Sequence, residues 1–258
     1  MKTQASIVLI GAGNVATQLG KNLFKAGYHI SQVYSQHKTS SSALAKTLKA
    51  EPITDLTKLD PDAAIYIIAV KDDALAGIAK KIKLEKQLIV HTSGSVPMDV
   101  LKNVSENYGV FYPLQTFSKN KDVSFKTVPL CIEGNNKNAS TTLQYFAKSI
   151  SRNVQMINSG QRRVIHLAAV FACNFSNHMY AVAEGILQKE KLSLDLLKPL
   201  IEETAEKIKK GSPAKMQTGP AIRKDKKTMD AQLKMLKEKK LKAIYKLVSE
   251  HIINSGNK

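Results

Sequence analysis

The sequence predicts an α/β protein in which a helix-covered parallel sheet is followed by an all-helical region. Up to about Val154, short β-rich runs alternate with amphipathic helical stretches, and the strands are apolar on both faces, as in a sheet covered on both sides. From about Ser159 onward, helical periodicity dominates and no strand is predicted. We therefore expect two domains, 1–155 and 156–258.

The individual elements follow from local pattern. Strands are predicted in the runs SIVLI, HISQVYS, AAIYIIAV, QLIVHTS, YGVFYP and TVPLCIE. The intervening stretches NVATQLGKNLFKAG, SSALAKTLKA and DDALAGIAKKI are amphipathic and predict helices. In the second half, helices are predicted over 161–190, 194–210, 228–236 and 239–253, with a loop rich in Gly and Pro between the middle two.

Composition restricts the class of protein. The 258 residues are 43% hydrophobic, which is typical of a folded chain with a core of ordinary density. The longest apolar run is interrupted by His166, so no helix spanning a membrane over about 18 residues is expected. The opening segment is interpreted as a first strand and not as a targeting signal. Cys131 and Cys173 lie in apolar surroundings, which indicates reduced core thiols and favours the cytoplasm.

The formal charge of +18 raises the question of nucleic-acid binding, because residues 207–246 hold 14 Lys or Arg and 3 acidic residues. Only 4 of the 39 basic residues are Arg, and the basic segment has a single aromatic residue, Tyr245. Arg and aromatic side chains supply most phosphate, base and stacking contacts. Solvated helix surfaces are therefore favoured over nucleic-acid binding, although the positive field would also attract an anionic ligand.

The first predicted strand leads directly into GAGNVA, a Gly-x-Gly-x-x-Ala turn that opens a helix. Gly11 permits the tight turn, Gly13 lets the backbone approach a pyrophosphate, and Ala16 allows the helix to pack closely on the strand. Because the turn lies between a predicted strand and a helix, the context required of a dinucleotide-binding fingerprint is present. We therefore predict an N-terminal Rossmann dinucleotide-binding domain followed by an all-helical C-terminal domain; a purely structural turn is the alternative.

The loop after the second strand suggests which dinucleotide is bound. No Asp or Glu stands where an acceptor for the ribose 2′-hydroxyl is expected. Ser35, Gln36, His37 and Lys38 instead offer hydrogen-bond donors and positive charge, which suits a 2′-phosphate. NADP is favoured over NAD, and the alternative is a solvated loop without this role.

Two further turns should border the nicotinamide, because ligands of open α/β sheets collect at the carboxyl ends of the strands. They are AVKDDA, with Val70 and Lys71, and HTSGS, in which Ser93 is a candidate substrate contact. Helix capping or turn formation alone would also explain both segments. The candidate cofactor-binding residues are Gly11, Gly13, Asn14, Val15, Ser35, Gln36, His37, Lys38, Val70, Lys71 and His91.

Five segments carry a resemblance to a known family: GAGNVA, HTSG, YPLQTFS, HLAAVFACNF and TGPAIR. Together they resemble the bacterial Rossmann-like proteins with an uncharacterised helical C-terminal domain, which are related to pyrroline-5-carboxylate reductase and 6-phosphogluconate dehydrogenase. The resemblance covers nearly the whole chain. It implies an NADP-dependent oxidoreductase, a helical domain that forms a homodimer, and an active site in the cleft between the domains.

The chain departs from the better-understood relatives at informative positions. Asn174 matches the Asn of the Lys-x-x-x-Asn helix of 6-phosphogluconate dehydrogenase, but Val170 stands where the catalytic Lys would be. SPAKMQTGPAIR replaces the Ser-Pro-Gly-Gly-Thr-Thr segment of pyrroline-5-carboxylate reductase. Gln232 replaces a His of the resembled group. Acid or base catalysis by a Lys of this helix, as in 6-phosphogluconate dehydrogenase, is therefore not expected.

The segment HLAAVFACNFSNHMYAVAEG, residues 166–185, is apolar enough to predict a buried helix, yet it carries several polar groups. At about 100° per residue, His166, Asn177 and Glu184 would share one face within about 20°, with Asn174 about 80° away and His178 about 120° away. Buried polar groups need partners or a ligand. They would either bind a substrate or simply bond to backbone and neighbouring subunits.

We predict that His166 donates a proton to a carbonyl or imine that is being reduced, because the ordinary pKa of His, about 6.5, suits acid catalysis near neutrality. Asn174 and Ser93 would orient the substrate, and Arg162 or Arg223 could hold a carboxylate.

Tyr112, Gln115 and Thr116 flank the rigid turn at Pro113 and are further candidates for the substrate pocket, with a hinge role as the alternative. No spacing of His and Cys predicts a metal site.

The favoured hypothesis is thus an NADP-dependent oxidoreductase that acts on a small polar carbonyl or imine compound. The alternative is a dinucleotide-sensing module without catalysis, whose basic helical domain binds an acidic partner.

Overall fold

The structure is a computed structural model that describes residues 6–255. Residues 1–5, at the start of the segment that was considered as a targeting signal, and residues 256–258 lie outside the described part. The chain divides after Asn177 into two compact units, each described separately below. The sheet ends at Met156, whereas the first unit continues to Asn177, and the domain boundary at 155 stays a prediction.

The described residues of the first unit form one eight-stranded sheet in the order β3-β2-β1-β4-β5-β6-β7-β8. The strands are β1 Ser6–Ile10, β2 His29–Tyr34, β3 Glu51–Ile53, β4 Ile65–Ile68, β5 Leu88–His91, β6 Asn107–Pro113, β7 Leu130–Gly134 and β8 Val154–Met156. Neighbouring strands are parallel except β6 and β7, which are antiparallel. The predicted parallel sheet is thus confirmed for every pair but this one.

Helices cover both faces of this sheet. They are α1 Asn14–Lys25, α2 Lys38–Leu48, α3 Asp72–Ala79 and α4 Lys137–Lys148. Alternate residues of β1 show why two layers form: Leu9 packs in the cluster that holds α1, α2 and α4, whereas Val8 packs in the cluster that holds α3. Apolar residues on both faces of the strand thus have a covering helix on each side, as the sequence predicts.

A polar contact ties α1 to a segment about a hundred residues later in the chain. The Gln18 side chain is fully buried, and its amide nitrogen donates to the carbonyl oxygens of Ser118 (2.7 Å) and Lys121 (2.9 Å). Its amide oxygen accepts from the backbone N–H of Val123 (3.2 Å). The polar atoms of the buried Gln18 amide thus all have partners in this segment, which holds the segment against α1.

The next helix, α5 Ser159–Ala169, continues into a π-helical segment at Val170–Phe175. A π turn takes up an extra residue and rotates the later part of the helix by about 100° relative to an α-helix. The predicted angles assume a continuous α-helix and are therefore wrong for residues on opposite sides of 170–175. Asn177 does not share a helix face with His166 as predicted.

The expectation that residues 166–185 are buried is also wrong for the single chain. Phe171 is 63% exposed and Leu167 is 60% exposed, and Asn174, Asn177 and His178 are exposed as well. Their polar groups therefore do not require buried partners here.

The two cysteines differ. Cys131 is buried, as predicted, but Cys173 is exposed and is not a core thiol; both are free.

The described part of the second unit is helical, as predicted. Its helices are α6 Ser176–Lys189, which begins just before the division, α7 Lys198–Lys210, α8 Lys226–Met235 and α9 Lys239–Ser255. The Tyr245 hydroxyl donates to the Gln232 amide oxygen and joins α9 to α8. Within residues 6–255, no helix is long and apolar enough to cross a membrane.

Candidate functional site

The turn between β1 and α1 leaves a backbone cradle. Gly11 has φ +126°, and a Cβ there would lie 2.2 Å from the Ala69 carbonyl oxygen, so no larger residue fits. A Cβ at Gly13 would meet nothing within 4 Å, which leaves open space in front of the helix. No side chain caps the N-terminus of α1, so its first N–H groups are available to an anion. These features fit the pyrophosphate of a dinucleotide.

A cavity of about 730 Å³ extends from this cradle along the ends of β1, β2 and β4. It is lined by the predicted cofactor-binding residues Gly11, Gly13, Asn14, Val15, Ser35, Gln36, His37, Val70 and Lys71. Ser40, which the sequence reasoning missed, also lines it. Lys38 is not a lining residue but is the first residue of α2.

The far end of the cavity is polar without being acidic. Among the described residues that line it, none is Asp or Glu. No side chain caps α2, whose N-cap is His37, so a second helix N-terminus with available N–H groups stands here. A phosphate suits this end better than a bare ribose hydroxyl, for which a carboxylate partner would be expected.

The turn after β5 is closed by its own hydrogen bonds. His91 is fully buried, and its Nδ1 accepts from the backbone N–H of Ser93 (3.1 Å). Burial, with the nearby positive charge of Arg162, lowers the pKa of His91 to about 4. The Ser93 Oγ accepts from the backbone N–H of Ser95 (3.1 Å) and Val96 (3.0 Å). His91 is thus a neutral core residue, and its contact with a cofactor stays a prediction.

His166 projects from α5 onto this turn. Its Nδ1 lies 3.0 Å from the Tyr112 hydroxyl at the end of β6, and the two rings meet edge to face with centroids 6.0 Å apart. A Cβ at Gly94 would lie 2.6 Å from Nδ1 of His166 and 2.9 Å from the Tyr112 ring. The absence of a side chain at Gly94 is what allows these two rings to meet.

Arg162, one turn before His166, is held in a buried ion pair. It is fully buried, with its Nη1 2.6 Å from Oε2 of Glu133. Its Nη2 donates to the Val96 carbonyl oxygen (2.6 Å) and to the Ser159 Oγ (3.1 Å). The guanidinium is therefore engaged by the protein, and the role of Arg162 or Arg223 at a substrate carboxylate stays a prediction.

The cavity and His166 lie at the same edge of the sheet. Ile68 of β4 pairs with His91 of β5, and His91 pairs with Val110 of β6, so the residues after these positions are level with one another. Next to the cavity residue Lys71, the Asp72 carboxylate accepts a hydrogen bond from the Ser95 hydroxyl. This hydrogen bond connects the edge of the cavity to the turn after β5, which the His166 side chain contacts.

Comparison with known proteins was made by family and by structure. A protein from Bacteroides fragilis that is provisionally assigned as an NADP oxidoreductase, BF3122, is 44% identical, covers 97% of this chain and 98% of that chain, and has a TM-score of 0.91. Residues 1–115 match the Rossmann-like domain, and residues 128–252 match a domain of unknown function, DUF2520. The chain belongs to the family of Rossmann-like proteins with a C-terminal DUF2520 domain.

More distant structures share the fold of this DUF2520 protein. A 1-pyrroline-5-carboxylate reductase from Streptococcus pyogenes is 14% identical, with 97% of both chains covered and a TM-score of 0.63. An imine reductase from Myxococcus stipitatus, solved with NADP+, is 13% identical, with 96% of this chain and 92% of that chain covered and a TM-score of 0.63. No curated protein matches the sequence.

The remaining predicted residues of the DUF2520 protein lie on its surface. Asn174 is exposed in the π-helical segment. Gln115 and Thr116 are exposed after β6, and the Gln115 amide oxygen accepts from the Thr116 N–H (2.8 Å). Arg223 is exposed in the second unit. Their roles at the substrate stay predictions.

Sequence reasoning did not place Tyr112 or Gly94 beside His166. The one available signal was the glycine in HTSG, which indicates a close approach without saying by which residue.

Proposed function

We propose that this protein is an NADP-dependent oxidoreductase that transfers a hydride between nicotinamide and a small polar carbonyl or imine compound. The observation that carries the proposal is that one compact unit holds both the dinucleotide cradle at Gly11 and Gly13 and a half-buried histidine, His166, at the same edge of its sheet. A hydride donor and a proton donor are the two groups that reduction of a C=O or C=N bond requires.

NADP is preferred to NAD in this proposal. Its support is the polar cavity end with Ser35, Gln36 and His37, the adjacent cation of Lys38 and the uncapped start of α2. A 2′-phosphate would accept hydrogen bonds from these donors and N–H groups. The imine reductase from M. stipitatus was solved with NADP+, in keeping with this choice.

A dinucleotide held at Gly11 and Gly13 would supply the hydride that the substrate carbon receives. His166 delivers a proton to the oxygen or nitrogen of the same double bond, so that one hydride and one proton complete the reduction. Ser93 and Asn174 orient the substrate. Arg223, in the second unit, stays a predicted partner of a substrate carboxylate, and Arg162 is already paired with Glu133.

Gln115 and Thr116, both exposed after β6, are assigned to the polar part of the substrate. The C=N class gains support from the imine reductase and pyrroline-5-carboxylate reductase among the structural neighbours.

The cofactor proposal is tested by fluorescence titration with NADPH and with NADH. The wild-type protein should bind NADPH at least about tenfold more tightly, a preference of about 1.4 kcal/mol. The variant Lys38→Ala should lose NADPH affinity and keep its NADH affinity. Lys46→Ala, in the last turn of the same helix, is the matched control and should behave as wild type. Equal binding of both nucleotides, or of neither, would contradict the proposal.

The catalytic proposal is tested by NADPH oxidation with a panel of keto acids and cyclic imines. With a compound that turns over, His166→Gln should bind NADPH normally and lose about 100-fold or more in kcat. His29→Gln, an exposed substitution at the start of β2, should remain active. Full turnover by His166→Gln would remove His166 from the mechanism.

We also propose that the protein is a homodimer. The apolar side chains Leu167, Phe171 and Phe175 are exposed on one short stretch of the described chain, and such a patch is typical of an interaction surface. Sedimentation should give a dimer that Phe171→Glu weakens. Tyr145→Glu, an equally exposed aromatic position on α4, should not. A monomeric wild type would contradict this assignment.

A further inference from the structure

We infer that Tyr112 is a positioning residue, which holds the proton of resting, neutral His166 on Nε2 and leaves that N–H to bind the substrate. Proton delivery starts from the ring that carries a second proton on Nδ1, so that loss of the Nε2 proton leaves a neutral imidazole. The tautomer follows from the geometry of the pair alone. Its use in catalysis rests on the proposed function, so the two parts are tested by different measurements.

The hydrogen-bond inventory of the pair favours one arrangement. The Tyr112 hydroxyl lies 3.0 Å from Nδ1 of His166 and makes no other hydrogen bond among residues 6–255. Nε2 of His166 makes none within the same residues. If Tyr112 donates to Nδ1, its hydrogen is used and the imidazole hydrogen stands on Nε2. The reverse arrangement would leave the Tyr112 hydrogen without an acceptor and would present a lone pair at Nε2 in place of a donor.

Tyr112 keeps its hydrogen throughout the neutral range. Burial raises the pKa of Tyr112 to about 12, with further increases from nearby Cys131 and Asp72 and an opposing effect of Arg162. The tyrosine therefore remains a hydrogen-bond donor under conditions in which a histidine changes its charge. The hydrogen bond of this pair therefore runs from the Tyr112 hydroxyl to Nδ1 of His166.

Gly94 fixes the ring in the required orientation. An ideal Cβ position at Gly94 lies 2.6 Å from Nδ1 and 2.8 Å from Cγ of His166, which is closer than carbon atoms approach without displacement. The imidazole thus lies against backbone on its Nδ1 side, where it also meets the edge of the Tyr112 ring. With the Nδ1 side occupied, Nε2 is the nitrogen left for an external partner.

The tautomer is measured by long-range ¹H–¹⁵N NMR of the histidine rings in the full chain. The spectra are recorded at about pH 8.5, because the two nitrogens of a neutral imidazole give distinct shifts. The chain has 6 His residues, and the His166 signals are those that disappear in His166→Gln. We expect an unprotonated Nδ1 and a protonated Nε2.

Two tyrosine variants on the same strand separate positioning from packing. Tyr112→Phe removes one hydroxyl and keeps the ring, and it should shift the His166 nitrogens toward the averaged values of exchanging tautomers. Tyr108→Phe, four residues earlier on β6, removes a hydroxyl without a described hydrogen bond and should leave the His166 spectrum unchanged. A wild-type spectrum with the proton on Nδ1, or an unchanged spectrum in Tyr112→Phe, would overturn the inference.

Activity provides the second readout. On a substrate that turns over, Tyr112→Phe should lower kcat about tenfold with little change in KM, the size expected for one lost hydrogen bond to a catalytic group. If the tautomer is as expected but kcat is unchanged, the catalytic part fails and the structural part stands. If His166→Gln also keeps full activity, the proposed function of His166 fails instead.

Discussion

Replacing Glu133 by Gln should destabilise the first unit by about 3–5 kcal/mol, the usual effect of removing one partner from a buried ion pair. The Arg162 guanidinium is fully buried, and Glu133 supplies its only counter-charge within hydrogen-bond distance among the described residues, at 2.6 Å. After the substitution, the Val96 carbonyl and the Ser159 hydroxyl would still accept from Arg162. Neutral acceptors do not replace a carboxylate in a buried site.

The design separates the uncompensated charge from lost packing. Combining Arg162→Met with Glu133→Gln removes both charges, so the double variant should be clearly more stable than Glu133→Gln alone. Lys21→Met breaks an ion pair with the exposed Asp122 carboxylate and should change stability little, since exposed pairs are screened by solvent.

Urea denaturation, followed by circular dichroism and by tyrosine fluorescence, gives the free energy of unfolding of each variant. A loss below about 1 kcal/mol in Glu133→Gln would show that Arg162 finds other compensation, and it would refute the reasoning from burial. A double variant as unstable as the single one would instead assign the loss to packing.

Two other predictions concern the cradle and the buried histidine. Gly13→Ala should keep wild-type stability but weaken NADPH binding at least about tenfold, because its Cβ enters open space in front of α1. Gly11→Ala should lower the melting temperature, because its Cβ meets the Ala69 carbonyl; calorimetry and titration distinguish the two, and equal effects would contradict them. The pKa of His91 is about 6.5 in the unfolded chain and about 4 in the folded chain. As the pH falls across that window, the unfolded chain takes up this proton first, which lowers the free energy of unfolding by on the order of 3 kcal/mol. His91→Asn should remove this part of the pH dependence in urea titrations at several pH values, and an unchanged profile would refute it.

The elements with a strong period were predictable from sequence. Strands such as β1 and β4 are apolar on both faces, and the helices of the second half repeat at helical spacing. The three-residue strand β3, with Pro52 at its centre, is too short to establish a period. The direction of β7 was not predictable either, since an apolar run looks the same in a parallel and an antiparallel pair.

The candidate site divides in the same way. The cradle at Gly11 and Gly13 is local, so a short motif was enough to place it. The pairing of His166 with Tyr112 joins residues 54 positions apart. The sequence around one residue does not indicate that the other is its partner. Arg162 was one of two candidates for a substrate carboxylate, and the sequence did not indicate its partner, Glu133, which lies on a distant strand. No sequence pattern marks the π-helical segment, so a helical wheel drawn from the sequence could not take it into account.

The bonds of Gln18 bear on how the chain can be divided. The Rossmann-like match ends at residue 115, before the carbonyl groups of Ser118 and Lys121 that the buried amide requires. A fragment cut at that residue would lose both carbonyl acceptors of the Gln18 amide and would expose the edge of β6 where β7 pairs. The segment that matches the Rossmann-like domain is therefore not expected to form a self-contained domain when it is cut at residue 115. Its first helix reaches its final state only when the chain beyond residue 118 has folded onto it.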